Sequence, residues 1–184
     1  MTKNYLSLDL ELNNSKIIQI GIAIGSTKAN IHTHKWYINP GEPISGFITK
    51  LTGITQQDID EKAVDLSIAA FEIGELIKKH NTFVNPVQWG HDDSKYLKEE
   101  FKARDIKFPH FGHRDIDVKT IFTYIQASRN MKSRSGLRNS MQKFNLKFEG
   151  DAHRADIDAY NTLVFYFHLT QRQSELEKLG NIKK

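Results

Sequence analysis

From Tyr5 to Leu12 the chain alternates without a break, with Leu6, Leu8, Leu10 and Leu12 on one side and Tyr5, Ser7, Asp9 and Glu11 on the other. Period two commits this segment to a strand with one apolar face, and the opposite face then carries two acids two residues apart. Two carboxylates on a leucine-rich strand are costly to cover. Either the strand shows its polar face to water, or a divalent cation with a preference for hard oxygen ligands neutralises the pair. Asn13-Asn14-Ser15-Lys16 is turn chemistry, and Ile18, Ile20, Ile22 and Ile24 alternate again, so a hairpin follows. A third strand is expected from His32 to Ile38, stopped by Asn39-Pro40-Gly41.

Helical spacing takes over further along. Short helices are expected from Ser45 to Leu51 and after Thr55, where Thr55 and Asp58 make a capping box. A longer helix spans Leu66 to Lys79, with Leu66, Ala70, Ile73, Leu76 and Ile77 as its apolar stripe. Thr82 to Trp89 reads as a strand interrupted by Asn85-Pro86, Asp92 to Arg104 as a helix, and Asp115 to Val118 as extended. Thr120 to Arg129, Leu137 to Phe144 and Ala152 to Thr170 then carry helical spacing, with a frayed, solvated end from Gln171 to Lys184. Strands in front and helices behind predict an α/β or α+β domain on a mixed sheet. At 184 residues one domain is expected, assigned to residues 1–172 with a polar tail over 173–184.

The chain has no cysteine, which removes disulfide scaffolds, thiolate zinc sites and cysteine nucleophiles and accords with a reducing cytoplasm. Asp9 and Glu11 interrupt what would have to be the apolar part of a signal peptide, and no long apolar run occurs. Neither secretion nor a membrane span is expected. The net charge of +4 mildly favours an anionic partner.

Two further clusters stand out. His153 and Asp158 are five residues apart, about 500° along a helix and so about 140° off a common face. Both can serve one site only if His153 lies at or before the helix start, with Asp151 as an available N-cap. Ala155 and Ala159 flank Asp158 and would let that helix approach a sheet closely. Trp89-Gly90-His91-Asp92-Asp93-Ser94 sets two acids where a strand passes into a helix, a position that suits either helix capping or a ligand site at the strand ends.

Taken together, Leu8-Asp9-Leu10-Glu11, Leu51-Thr52-Gly53-Ile54-Thr55, Asp93 four residues before Leu97, and His153 with Asp158 resemble the DEDDh (DnaQ-like) 3′-to-5′ exonucleases in order, spacing and flanks. The resemblance runs from Leu6 to about Phe167. The Trp-Gly before the middle acid is most similar to the branch of histone-mRNA and small-RNA exonucleases and sporulation-inhibitor-like bacterial homologues. It implies an RNase H-like α/β fold, a mixed five-stranded sheet with its first three strands antiparallel, flanked by helices. Arg154 stands where the tyrosine subclass would need its tyrosine, so the histidine subclass is indicated. Leu12-Asn13-Asn14 replaces the threonine that usually follows the first pair of acids, altering the floor under the terminal base.

The resemblance further implies two Mg2+ or Mn2+ ions, bound by Asp9, Glu11, Asp93 and Asp158, with His153 as general base. Two cations about 3.5 to 4 Å apart can generate the attacking hydroxide and stabilise the leaving alkoxide, and imidazole titrates in a range suited to the proton transfer. The substrate would be single-stranded RNA or DNA with a free 3′ end, cut to 5′-mononucleotides. Leu12, Leu51 and Arg154 are the candidate substrate contacts. Leu51 would wedge against the terminal base, or else pack as a core leucine, and Lys132, Arg134 and Arg138 could join Arg154 on phosphates. The competing class is a polymerase-associated or nucleic-acid-binding subunit that acts by docking.

Overall fold

The computed structural model describes residues 3–107, 111–132 and 134–181. The two alternating segments form β1 (Tyr5–Asn13) and β2 (Lys16–Gly25), an antiparallel hairpin closed by Asn14 and Ser15 with φ of 45° and 71°. Two consecutive left-handed residues give the tight turn whose twist matches the strands it joins. β3 (His32–Ile38) pairs antiparallel with β2. Parallel strands extend both sides: β4 (Ala63–Val64) on β3, then β5 (Val87–Gln88) on β1 and β6 (Ile116–Asp117) on β5. The order is β4-β3-β2-β1-β5-β6.

This is the mixed α/β sheet expected of an RNase H-like fold, with six strands rather than five. The additional strand, β4, is two residues long and too short to show any alternation. The ladder anticipated over Thr82 to Trp89 is reduced to Val87–Gln88, since Pro86 has no N–H to give it; Thr82 keeps an isolated bridge to Asn4.

The helices are α1 (Gly46–Thr52), α2 (Gln56–Lys62), α3 (Leu66–His80), α4 (Asp93–Ala103), α5 (Val118–Ser128), α6 (Leu137–Gln142) and α7 (Ala155–Asn181). The Thr55–Asp58 box caps α2 reciprocally, Thr55 Oγ1 accepting from Asp58 N–H and the Asp58 carboxylate from Thr55 N–H. Instead of fraying near Gln171, α7 continues to Asn181, so the boundary expected at residue 172 falls inside a helix. Residues 171–179 are mostly good helix formers, and Gln171 Nε2 donates to Glu175 Oε1 one turn on.

Period two divides the core between the faces of the sheet. Leu6, Leu8, Ile20, Ile22 and Ile24 pack with Ile73 of α3 and Phe101 of α4. On the other face Ala23 and Val87 meet Phe122 of α5, Met141 of α6 and Leu163 and Phe165 of α7. Each fully buried phenylalanine contributes roughly 1.5–3 kcal/mol. No helix among the described residues is long and apolar enough to cross a membrane.

Candidate active site

The α7 face of the sheet carries two cross-strand rows. Glu11, Gln19 and Tyr37 form one, Asp9, Gly21 and Lys35 the next. The start of α7 is fastened across both. Arg154 donates to Tyr37 Oη at 2.7 Å, Ala155 N–H to Gln19 Oε1 at 2.9 Å, and Lys35 Nζ reaches Asp156 at 3.1 Å. Gly21 makes the approach possible, because a Cβ there would come within 2.0–2.2 Å of the Ala155–Asp156 backbone. Ala155 and Ala159 are fully buried in the contact.

The seating of α7 meets the condition that the spacing of His153 and Asp158 imposed. The helix begins at Ala155, and His153 precedes it with φ of 63°. Its N–H donates to Asp158 Oδ2 at 2.9 Å, closing the loop back onto the first turn. The cap expected from Asp151 is therefore not formed, as Asp151 lies four residues before the helix and is exposed. Glu11, His153 and Asp158 each offer a ligand atom within 4.8 Å of the others.

Asp93 joins from the other side. Gly90, with φ of 112°, turns the chain from β5 into α4; Ser94 N–H donates to buried Gln88 Oε1, and Asp93 becomes the first helical residue. Its carboxylate accepts from Leu10 N–H on β1 and interacts electrostatically with Asp9. Asp92 holds the N-cap position without a side-chain cap bond, exposed, its carboxylate 3.5 Å from His91 Nε2. Of the two neighbouring acids, Asp93 is thus the one that turns inward and Asp92 the one left at the surface.

Burial raises the proton affinity of all four acids. Asp9 is held well above the ordinary carboxylate range by burial and then by Asp93, Asp158 and Glu11. Glu11 is pushed up to about 8 by burial and by Asp158 and Asp93, with Arg154 partly opposing, and Asp93 to about 7 by burial. Asp158 is raised by burial against the His153 N–H bond. Asp158 Oδ1 is buried with no hydrogen-bond partner. Converging carboxylates with an orphaned oxygen fit hard divalent cations such as Mg2+ or Mn2+.

Asp9, Glu11, His153 and Asp158 line a cleft of about 540 Å³ that is closed on its far side by Gly136–Asn139 and Phe148. Trp89 also reaches it, although its ring packs near Phe122 and Phe165. Among the three candidate substrate contacts, Leu12 is not at the cleft. It lies beyond a β-bulge after Glu11 and packs against the α3-side core, because period two turns it away from Asp9 and Glu11. Leu51 is 41% exposed, not a core leucine, and borders a neighbouring cleft of about 460 Å³ with Lys35, Gly150, Ala152 and Arg154. Ala152 belongs to both clefts. Arg138 lies over the Phe148 ring at 4.6 Å, at the first cleft.

Sequence reasoning missed Gln19 and Tyr37. Gln19 did leave a signal, as the only polar residue between Ile17 and Gly25, but its partner is 136 residues away.

A family model described as an exonuclease, RNase_T, matches residues 7–166. The chain is 26% identical over 166 residues to a PolC-type DNA polymerase III of Mycoplasmopsis pulmonis (86% of this chain, 11% of that protein). It is 27% identical over 169 residues to ERI1 exoribonuclease 2 of Xenopus laevis (79% of this chain, 23% of that protein). It therefore spans about a tenth and a quarter of these relatives' lengths. Among solved structures it is similar to the nuclease domain of 3′hExo, a DEDDh family member bound to rAMP, with a TM-score of 0.75 at 19% identity over 94% of this chain and 93% of that one. It is also similar to an exonuclease I, with a TM-score of 0.70 at 18% identity over 95% and 42%.

Proposed function

Because the chain belongs to the RNase_T exonuclease family, we propose that it removes nucleotides from the 3′ end of single-stranded RNA or DNA and releases 5′-mononucleotides. The observation that carries the reading is the convergence of Asp9, Glu11 and Asp158 with His153 at one cleft and of Asp93 within electrostatic reach of Asp9 and Glu11, with burial opposing the ionisation of every acid.

Asp9, Glu11, Asp93 and Asp158 would hold two divalent cations, Mg2+ or Mn2+. When bound, these supply positive charge that favours hydroxide formation beside a phosphodiester and release of the 3′-oxygen. Exposed His153 takes the proton from the attacking water, its ring placed by the Asp158 bond to its own N–H. Arg154, fixed to Tyr37, holds a positive charge beside Glu11 at the mouth of the neighbouring cleft. Leu51 offers an exposed apolar surface for the terminal base.

A 3′-labelled oligonucleotide incubated with Mg2+ or Mn2+ should yield labelled mononucleotide. Asp9→Ala and His153→Ala should each abolish this, and persistence of hydrolysis in excess EDTA would refute the metal-dependent reading. The match to part of a PolC-type polymerase favours one second reading, association with a polymerase. Copurification of a stoichiometric polymerase with a full-length chain that lacks nuclease activity would replace the first reading by the second.

A further inference from the structure

Residues 129–147 hold six lysines or arginines and no acid, more positive charge than the whole chain's excess of +4. The segment comprises the connection from α5, α6 and the turn beyond it, and it meets the cleft at its middle, since Gly136–Asn139 form the cleft wall. Arg129, Lys132, Arg134, Arg138 and Lys143 are all exposed, and none of these five forms an ion pair with a described residue, whereas the sixth, Lys147, pairs with Glu149. Some of them are nevertheless held in place. Arg129 lies over Phe144 at 5.5 Å, Lys143 over Phe122 at 5.4 Å, and Lys143 Nζ donates to Lys132 O at 3.0 Å, which ties the connection to α6. A solvated basic face would ordinarily be interspersed with acids; this one is single-signed and continuous with the cleft.

We infer that this surface is an extended binding track for the backbone of the substrate strand upstream of its 3′ end, so that the enzyme prefers oligonucleotides several nucleotides long over the shortest ones. The inference rests on the exonuclease reading and specifies its substrate class. Arg138 stands at the cleft. Arg134 is two residues from Gly136, at most about 7 Å along the chain, and Lys132 four residues, at most about 14 Å. That spacing suits phosphates successively further from the 3′ end. Contacts of this kind position a strand without reading its sequence and make binding steeply dependent on salt.

The test compares oligo(dT) and oligo(U) 3-mers and 12-mers with p-nitrophenyl thymidine 5′-phosphate, an ester without any upstream strand. Lys132→Glu/Arg134→Glu should lower kcat/KM on the 12-mer about tenfold, two exposed contacts at roughly threefold each. The slope of log(kcat/KM) against log salt should flatten by about 1.4, or about 0.7 per lost contact. The loss should be confined to the long substrate. Lys79→Glu/Lys102→Glu, the same charge change on α3 and α4 across the sheet, should reproduce neither effect. Equal losses on ester and 12-mer, an unchanged salt slope, or wild-type indifference to length would overturn the track. Failure of the wild type on ester and oligonucleotides alike would instead refute the exonuclease reading. The track then stands or falls on fluorescence anisotropy of a labelled 12-mer, which the Lys132→Glu/Arg134→Glu variant should bind about tenfold more weakly than the wild type.

Discussion

Replacing Glu11 by glutamine should stabilise the metal-free protein while destroying the proposed site. Glu11 is 8% exposed, and its proton affinity is raised from 4.5 to about 8. An acid raised on folding binds a proton in the native state that the unfolded chain has released. Its stability contribution is therefore intact below about pH 4.5 and is lost as pH rises toward 8. At about 1.4 kcal/mol per pH unit, the ionisation penalty is near 1 kcal/mol at pH 5 and about 4 kcal/mol at pH 8, and it levels off at about 5 kcal/mol above that. Proton uptake by one acid relieves its neighbours, and water entry softens the rest, so about half the pH 8 penalty, roughly 2 kcal/mol, is expected to appear. For a chain of this size that is about 4–8 °C in Tm. Thermal unfolding in EDTA should therefore place Glu11→Gln about 4–8 °C above the wild type at pH 8 and within about 2 °C of it at pH 5. Added Mn2+ should raise the wild type more than the variant. An equal gain at both pH values, or none at pH 8, would show that Glu11 does not destabilise the fold by ionising.

Gly21→Ala should cost more than about 2 kcal/mol and most of the activity, as read by urea unfolding and nuclease rate, because the new methyl meets backbone of α7 within 2.0–2.2 Å. Gln19→Leu leaves Ala155 N–H buried and unpaired; about 1–3 kcal/mol of stability should go with it, and single-turnover rates should fall about tenfold or more as His153 loses its register. Leu51→Ser should leave Tm within about 1 °C, since the side chain is 41% exposed, but raise KM severalfold in steady-state assays if the leucine meets the terminal base.

The strands and helices that form the bulk of the core were legible in the sequence wherever a long enough segment met a single face. β1, β2 and β3 alternate over seven to ten residues, and α2 declares its start by Thr55 and Asp58. β4 is two residues long and set by the neighbour it pairs with, so no periodicity could reveal it, whereas β5 and β6, equally short, fall inside the segments read as extended but take their bounds from pairing. The same limit applied at the site. Asp9 and Glu11 announced themselves as acids on an otherwise apolar strand. Which face of the sheet α7 would cover, however, was not a local matter, and Gln19 and Tyr37 stayed unnoticed because their partners lie 136 and 117 residues away.

The chemical inventory follows from the order of residues alone: four carboxylates and an imidazole in a recognisable order, no thiolate to compete with hard oxygen ligands, and a charge excess concentrated in one short segment. That these groups meet depends on how the folded segments pack. Glu11 and Asp158 are brought together because Gly21 lets α7 lie against β2, because Gln19 and Tyr37 hold its first residues, and because His153 takes a left-handed conformation just before the helix starts. Local pattern dictates which face a residue occupies, whereas the partner that face meets depends on packing between segments far apart in the chain.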